Sequence, residues 1–358
     1  MKNLEKIGLT KELKSHFNEY RKKGLSLGRV ALEHKKSFRV WLEKGDYLCT
    51  LAGKFTFGAS VREDLPAVGD WVAVKTFPGE PLGTIQAILP RKSKFSRKTA
   101  GLVIEEQIVA SNVDTVFLIS SLNDDLNLRR IERYLLLAWE SGANPVVVLS
   151  KSDLVPSTVD TKISEVSSVA LGVPVIAVSV YDQTGMEELS KYLIPGKTIA
   201  LIGSSGVGKS SLVNYLAGYE KQQVKDIREN DHKGKHTTTH RELIQLEGEA
   251  LLIDTPGMRE IQLWTGEEGV SESFPDIEEY ACACKFRDCR HVNEPGCAVR
   301  KAISEGILDE KRLNNYNKLL KELAFINRKI DSKSQADMKR TWKNTNKELR
   351  RKAKFKGK

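Results

Sequence analysis

Between residues 107 and 264 the chain alternates short, continuous apolar runs with amphipathic stretches. The apolar runs are DTVFLISS, NPVVVLSKSD, VPVIAVSV and KTIALIGSS. The stretches that follow them are LRRIERYLLLAWESG, TKISEVSSVALG, GMEELSKYLI and KSSLVNYLAG, with apolar positions at helical spacing. Apolar strands separated by amphipathic helices predict a doubly wound, mostly parallel sheet covered on both faces. Two more strands, RELIQLE and EALLIDT, follow a polar stretch at 225–240.

The preceding segment has a different rhythm. Residues 28–92 hold RVALEH, SFRVWLE, DYLCTLAGKF, DWVAVKT and GTIQAIL, runs rich in β-branched and aromatic residues. Gly45, Gly53, Gly69 and Pro78-Gly79 punctuate them. Such short strands, closely spaced, fit a small barrel of OB type, with an SH3-like barrel as the alternative. Residues 1–27 read as a basic helical extension with apolar positions at Leu4, Ile7, Leu13 and Phe17, ending near Gly24 and Gly28. After Trp264 the alternation gives way to a Cys/His-rich loop, a helical run (YNKLLKELAFINRKI) and a basic tail. The expected protein is multi-domain α/β. Its parts are the extension (1–27), a barrel (28–98), a nucleotide-binding domain (99–270), a metal-binding helical module (271–330) and the tail (331–358).

Gly203-Ser204-Ser205-Gly206-Val207-Gly208-Lys209-Ser210, with Ser211 behind it, matches G-x-x-x-x-G-K-[ST] between a strand and a helix. Such a loop curls backbone N–H groups around phosphates, and the helix N-terminus adds positive potential. Lys209 is placed to reach the β/γ-phosphates, and the Ser210 hydroxyl to ligate Mg²⁺. DTPG at 254–257 ends a later apolar strand. There Asp254 can hold Mg²⁺ through water, and the Gly257 N–H can sense a γ-phosphate. SKSD, residues Ser150, Lys151, Ser152 and Asp153, ends PVVVL. Asp153 can accept from guanine N1–H and N2–H while the Lys151 stem stacks on the base. The competing reading is a strand-to-helix turn in which Ser152 or Asp153 is an N-cap. Ser179, ending VIAVS, can support a loop that reads guanine O6. In linear G proteins the phosphate loop comes first. Here SKSD and Ser179 precede it, so the G domain is circularly permuted.

Composition adds three constraints. The chain is 40% hydrophobic and 29% charged, without an export signal or the ~20 apolar residues of a bilayer span, so a soluble cytoplasmic protein is expected, with no membrane. Net charge is +10, and residues 331–358 carry 11 Lys/Arg against 3 Asp/Glu. Such a tail fits an anionic partner, nucleic acid first, or a solvated disordered end. Cys284-x4-Cys289-x-His291-x5-Cys297 offers three thiolates and an imidazole, a closed set suited to structural Zn²⁺. Cys282 is a competing ligand, and metal would order a segment poor in apolar residues.

With these motifs the sequence resembles the RsgA family of circularly permuted GTPases. The resemblance spans about residues 28–320 and includes GKHTTT at 234–239 and DTPGMRE at 254–260. It implies an OB domain, a guanine-nucleotide site, a structural zinc on Cys284 rather than Cys282, and GTP hydrolysis stimulated by the small ribosomal subunit. It also implies a switch in which Thr238 closes over Mg²⁺. The family's Asn-Lys-x-Asp has Ser150 in place of Asn, whose side chain in the family braces the phosphate loop and base, so lower affinity is expected. Met258 occupies the position of a water-orienting Gln, and His236 is the candidate catalytic substitute. The implied partners are the small subunit with its rRNA and GTP/GDP, and nothing calls for more than a monomer. Two readings compete: a nucleotide-gated regulator on another anionic surface, and a P-loop kinase. SKSD and the permuted order argue against the kinase.

Overall fold

The computed structural model describes residues 2–34, 37–53, 55, 64–98, 106–123, 126–218, 241–254, 274–321 and 324. The chain divides into two compact units, 1–262 and 263–358.

In the first unit, helix α1 (Lys11–Lys22) is followed by strands β1 (Ser26–Glu33), β2 (Phe38–Leu42), β3 (Gly45–Leu51), β4 (Trp71–Thr76) and β5 (Leu82–Ile88). Their order is β1-β2-β3-β5-β4, closed by a β1–β4 pairing, with β3 and β5 parallel. This closed five-stranded arrangement is the OB-type barrel, and the SH3-like alternative falls away. Val30, Val40, Cys49, Val72, Val74 and Ile85 fill its interior. Burial pushes the Cys49 thiol up to about 12, as a thiol in an apolar core should behave.

A two-stranded ribbon, β6 (Lys94–Lys98) with β7 (Glu106–Ser111), spans the place where the barrel was expected to end. Beyond it lie β8 (Thr115–Ser121), α2 (Leu128–Ser141), β9 (Asn144–Ser150), α3 (Val159–Ser167), β10 (Val175–Val178), α4 (Met186–Ser190), β11 (Thr198–Gly203), α5 (Lys209–Ala217), β12 (Glu242–Gln245) and β13 (Leu251–Asp254). The sheet order is β10-β9-β8-β11-β13-β12. All pairings are parallel except β12 with β13. Every residue of β11 is buried, and so are all but the first of β8 and β9. That is why these strands read as continuous apolar runs.

Barrel and G domain are one body. Leu32 of β1 pairs with Glu242 of β12, so one sheet of eleven strands runs through both. Arg29, 1% exposed, lies at the junction. Its guanidinium donates to Ile7 O (2.7 Å), Gly69 O (3.1 Å), Asn112 O (3.2 Å) and Thr198 Oγ1 (2.8 Å), and lies over Trp71. Burial lowers its pKa to about 10, opposed by Asp114 and Asp70, so it remains a cation at neutral pH. The N-terminal extension straps the junction. Lys2 pairs with Asp46 of the barrel and Lys6 with Glu249 of the β12–β13 turn, while the Ile7 side chain is buried.

The second unit contains α6 (Pro275–Ala281), α7 (Ala298–Ser304) and a helical run at 310–321. Phe274 is its apolar pivot, edge-on to Tyr316 and beneath the Arg312 guanidinium. Arg312 in turn grips Asp276 with two hydrogen bonds of 2.5 and 2.7 Å. Among the described residues no helix is long and apolar enough to cross a membrane.

Candidate nucleotide site and metal-ligand cluster

In an open α/β sheet, ligands bind outside the carboxyl ends of the strands, where the strand order reverses direction. Here the chain moves outward from β8 to β9 and β10, then returns to place β11 on the other side of β8. The crevice is therefore between β8 and β11. The phosphate loop leaves the carboxyl end of β11, SKSD leaves β9, Ser179 follows β10, and Asp254 is the last residue of β13. The four motifs, scattered over about a hundred residues of sequence, share one edge because their strands are parallel.

Two glycines of the loop answer to steric demands. A Cβ on Gly203 would lie 2.4 Å from Ile119 O of β8. Gly208, which begins α5, has φ +88, a left-handed conformation costly to other residues. Val207 is buried in the core and anchors the loop's middle. The Lys209 ammonium donates to Gly203 O (2.8 Å) and Ser204 O, so it lies across the mouth of the loop. Ser205 and Gly206 are exposed, and Ser204 and Ser210 are half-buried.

Ser150 stands at the Asn position of the family motif. Its hydroxyl lies 2.6 Å from Val207 O as donor. The brace between the guanine motif and the phosphate loop is thus present, made by a hydroxyl instead of an amide. The N-cap alternative for SKSD finds no support. The turn at Ser152–Leu154 has no side-chain cap, α3 starts only at Val159, and Ser152 Oγ is buried without a hydrogen-bond partner. Lys151 takes a left-handed conformation, φ 60, which turns the chain sharply as β9 ends. Ser179 is buried, and its Oγ accepts from the amides of Tyr181 (3.1 Å) and Asp182 (3.4 Å), which shapes the loop after β10. His236, Thr238, Gly257 and Met258 lie outside the described residues, as does the tail at 331–358.

One contact had no signal in the sequence. Arg130, in the first turn of α2, donates from Nη1 to Ser204 Oγ at 2.9 Å. No motif spacing joins residues 74 positions apart.

In the second unit, one ligand atom each from Cys284, Cys289, His291 and Cys297 lies within 4.8 Å of the other three. His291 Nδ1 is 3.6 Å from Cys284 Sγ and 3.4 Å from Cys297 Sγ. Cys282 is exposed and outside the group. Burial would raise the Cys284 pKa, but the backbone amides of Val299 and Ala298 hold it below the ordinary thiol range, favouring the thiolate a metal requires. Arg300 ties the cluster together through His291 O and Val292 O, both at 3.0 Å. Three sulfurs and one imidazole, converging without a fifth such group among the described residues, can hold a tetrahedral metal ion.

A phosphate loop, SKSD upstream of it and Asp254, the first residue of DTPG, downstream, all on one edge of a mostly parallel sheet, define a circularly permuted P-loop GTPase. Residues 88–264 match the family model described as RsgA GTPase. A protein of Opitutus terrae called small ribosomal subunit biogenesis GTPase RsgA is 47% identical over 312 residues, 85% of each chain. A protein of Syntrophotalea carbinolica with the same description is 42% identical over 346 residues, 94% of each chain. The crystal structure of YjeQ from Thermotoga maritima matches 84% of this chain and 99% of its own, with TM-score 0.63 and 29% identity. The chain belongs to the RsgA family of GTPases.

Proposed function

We propose that this chain is a monomeric, cytoplasmic GTPase that assists maturation of the small ribosomal subunit. Its likeness, over most of its length, to relatives named for that process carries the reading. In the proposed mechanism the loop amides and Lys209 hold the phosphates, and Ser210, Thr238 and Asp254 would hold Mg²⁺. The ion, when bound, neutralises charge on the β- and γ-phosphates. Gly257 senses the γ-phosphate. Lys151, Asp153 and the loop carrying Ser179 select guanine. His236 orients the water in place of Met258. The barrel, the Cys/His module and the basic tail hold rRNA.

The test is single-turnover GTP hydrolysis with small subunits or with anionic liposomes. Subunits should co-sediment with the protein and accelerate hydrolysis, on the scale of about 10³–10⁵ known for completed G-protein sites. Liposomes should do neither. His236→Ala should keep GTP binding and lose most of the stimulated rate. Liposome binding with no response to subunits would favour the regulator on another anionic surface.

Guanine selection has its own test. Asp153→Asn places an amide donor where the carboxylate accepted, so preference should move from guanine to xanthine nucleotides. Competition against labelled GDP reads this out, and equal competition by ATP in the parent protein would defeat the assignment.

We further propose that the cluster binds one structural Zn²⁺. Elemental analysis should find about one zinc per chain, in line with a closed Cys3His set. Chelation should release the thiols of Cys284, Cys289 and Cys297 to titration and unfold the 274–321 segment, since such sites supply folding energy directly. Zinc-free protein with that segment still folded would contradict the proposal.

A further inference from the structure

We propose that Arg130 is a positioning residue of the phosphate loop, acting through Ser204 on Lys209. The crevice where the strand order reverses is bordered by two chain segments: the loop after β11 and the start of α2 after β8. Arg130 is the cation that the second segment delivers to the first. Its own place is fixed locally. Asn127 caps α2 by accepting from Arg130 N at 3.1 Å, and Ile131, Leu135 and Leu136 bury the helix face beside it.

Ser204 is the shared node. Arg130 Nη1 holds its hydroxyl, while its carbonyl accepts from the Lys209 ammonium. The peptide that aims Lys209 is therefore pinned from the side by α2. Without that pin the first half of the loop would divide its time among several settings, only some of which bind phosphate. A binding-competent fraction below one weakens apparent affinity by that fraction, whichever nucleotide is bound. Once nucleotide is bound, the loop is in the competent setting and the chemical step is unaffected. Arg130 is thus expected to act on KM and on nucleotide affinity, not on kcat.

The inference rests on the phosphate-loop reading, which would itself fail if Lys209→Ala still bound nucleotide. The experiment compares Arg130→Met, Arg130→Lys, Ser204→Ala and the Arg130→Met/Ser204→Ala double variant, in full-length protein. Fluorescent GTP and GDP titrations and steady-state hydrolysis are the readouts. Arg130→Met should weaken both nucleotides and raise KM by about tenfold, the scale of a hydrogen bond to a charged group, with kcat within about twofold. Ser204→Ala should match it, the double variant should be no worse than either single one, and Arg130→Lys should recover part of the loss. Unchanged affinity in Arg130→Met would overturn the proposal, as would strictly additive losses. So would a fall in kcat at constant KM, or a loss confined to GTP, since each would place Arg130 on the γ-phosphate itself.

Discussion

Lys209→Ala is expected to abolish nucleotide binding and with it GTP turnover, while the chain stays folded. The ammonium bridges Gly203 O and Ser204 O at the mouth of the loop, and in the proposed mechanism it meets the phosphates there. Loop amides alone would then have to neutralise a ligand carrying three to four negative charges. Removing a single preorganised donor from such a site costs on the order of 10²–10³ in rate, and here a full charge is removed as well. Lys209 is partly exposed and contributes no side chain to the core cluster. Thermal unfolding without nucleotide should therefore match the parent protein, and the stabilisation that GDP confers on the parent should vanish. A variant whose melting temperature still rises with GDP would show that the phosphates are held elsewhere.

Arg29→Met should be the most destabilising single change in the 1–262 unit. Methionine fills much of the volume but leaves Ile7 O, Gly69 O and Asn112 O buried with one donor fewer each, while Asp70 keeps Arg91 and Asp114 keeps Lys92 and Lys197. Orphaned buried acceptors cost about 1–3 kcal/mol each, and three are left here. A loss of about 3–5 kcal/mol corresponds to roughly 10 °C in melting temperature for a unit of this size. The loss should also uncouple the parts. Thr198, which Arg29 holds, begins β11, the strand that ends in the phosphate loop. Hydrogen exchange should therefore increase in residues 2–9 and at the start of β11 together. Unchanged melting, or exchange confined to the barrel, would mean that Arg29 does not join the two.

Most of the parallel sheet was legible because its central strands β8, β9 and β11 are buried on both faces and the helices between them are amphipathic, a pattern local to a dozen residues. The phosphate loop and the cysteine–histidine spacing were legible for a related reason. Their chemistry needs several residues within one turn of chain, so the constraint is written in consecutive positions. Motif order along the chain was enough to reveal the permutation. Tertiary structure decided whatever depends on residues distant in sequence. The barrel's closure rests on β1 meeting β4, and its union with the G domain on Leu32 meeting Glu242, pairings that strand composition does not encode. That Ser150 still braces the loop depends on a 2.6 Å approach to Val207, 57 positions away. Arg29 and Arg130 look in the sequence like any basic residue among 57. Their roles come from which carbonyls and hydroxyls the fold carries to their guanidinium groups. A long side chain can satisfy its donors in many ways, and only packing selects one.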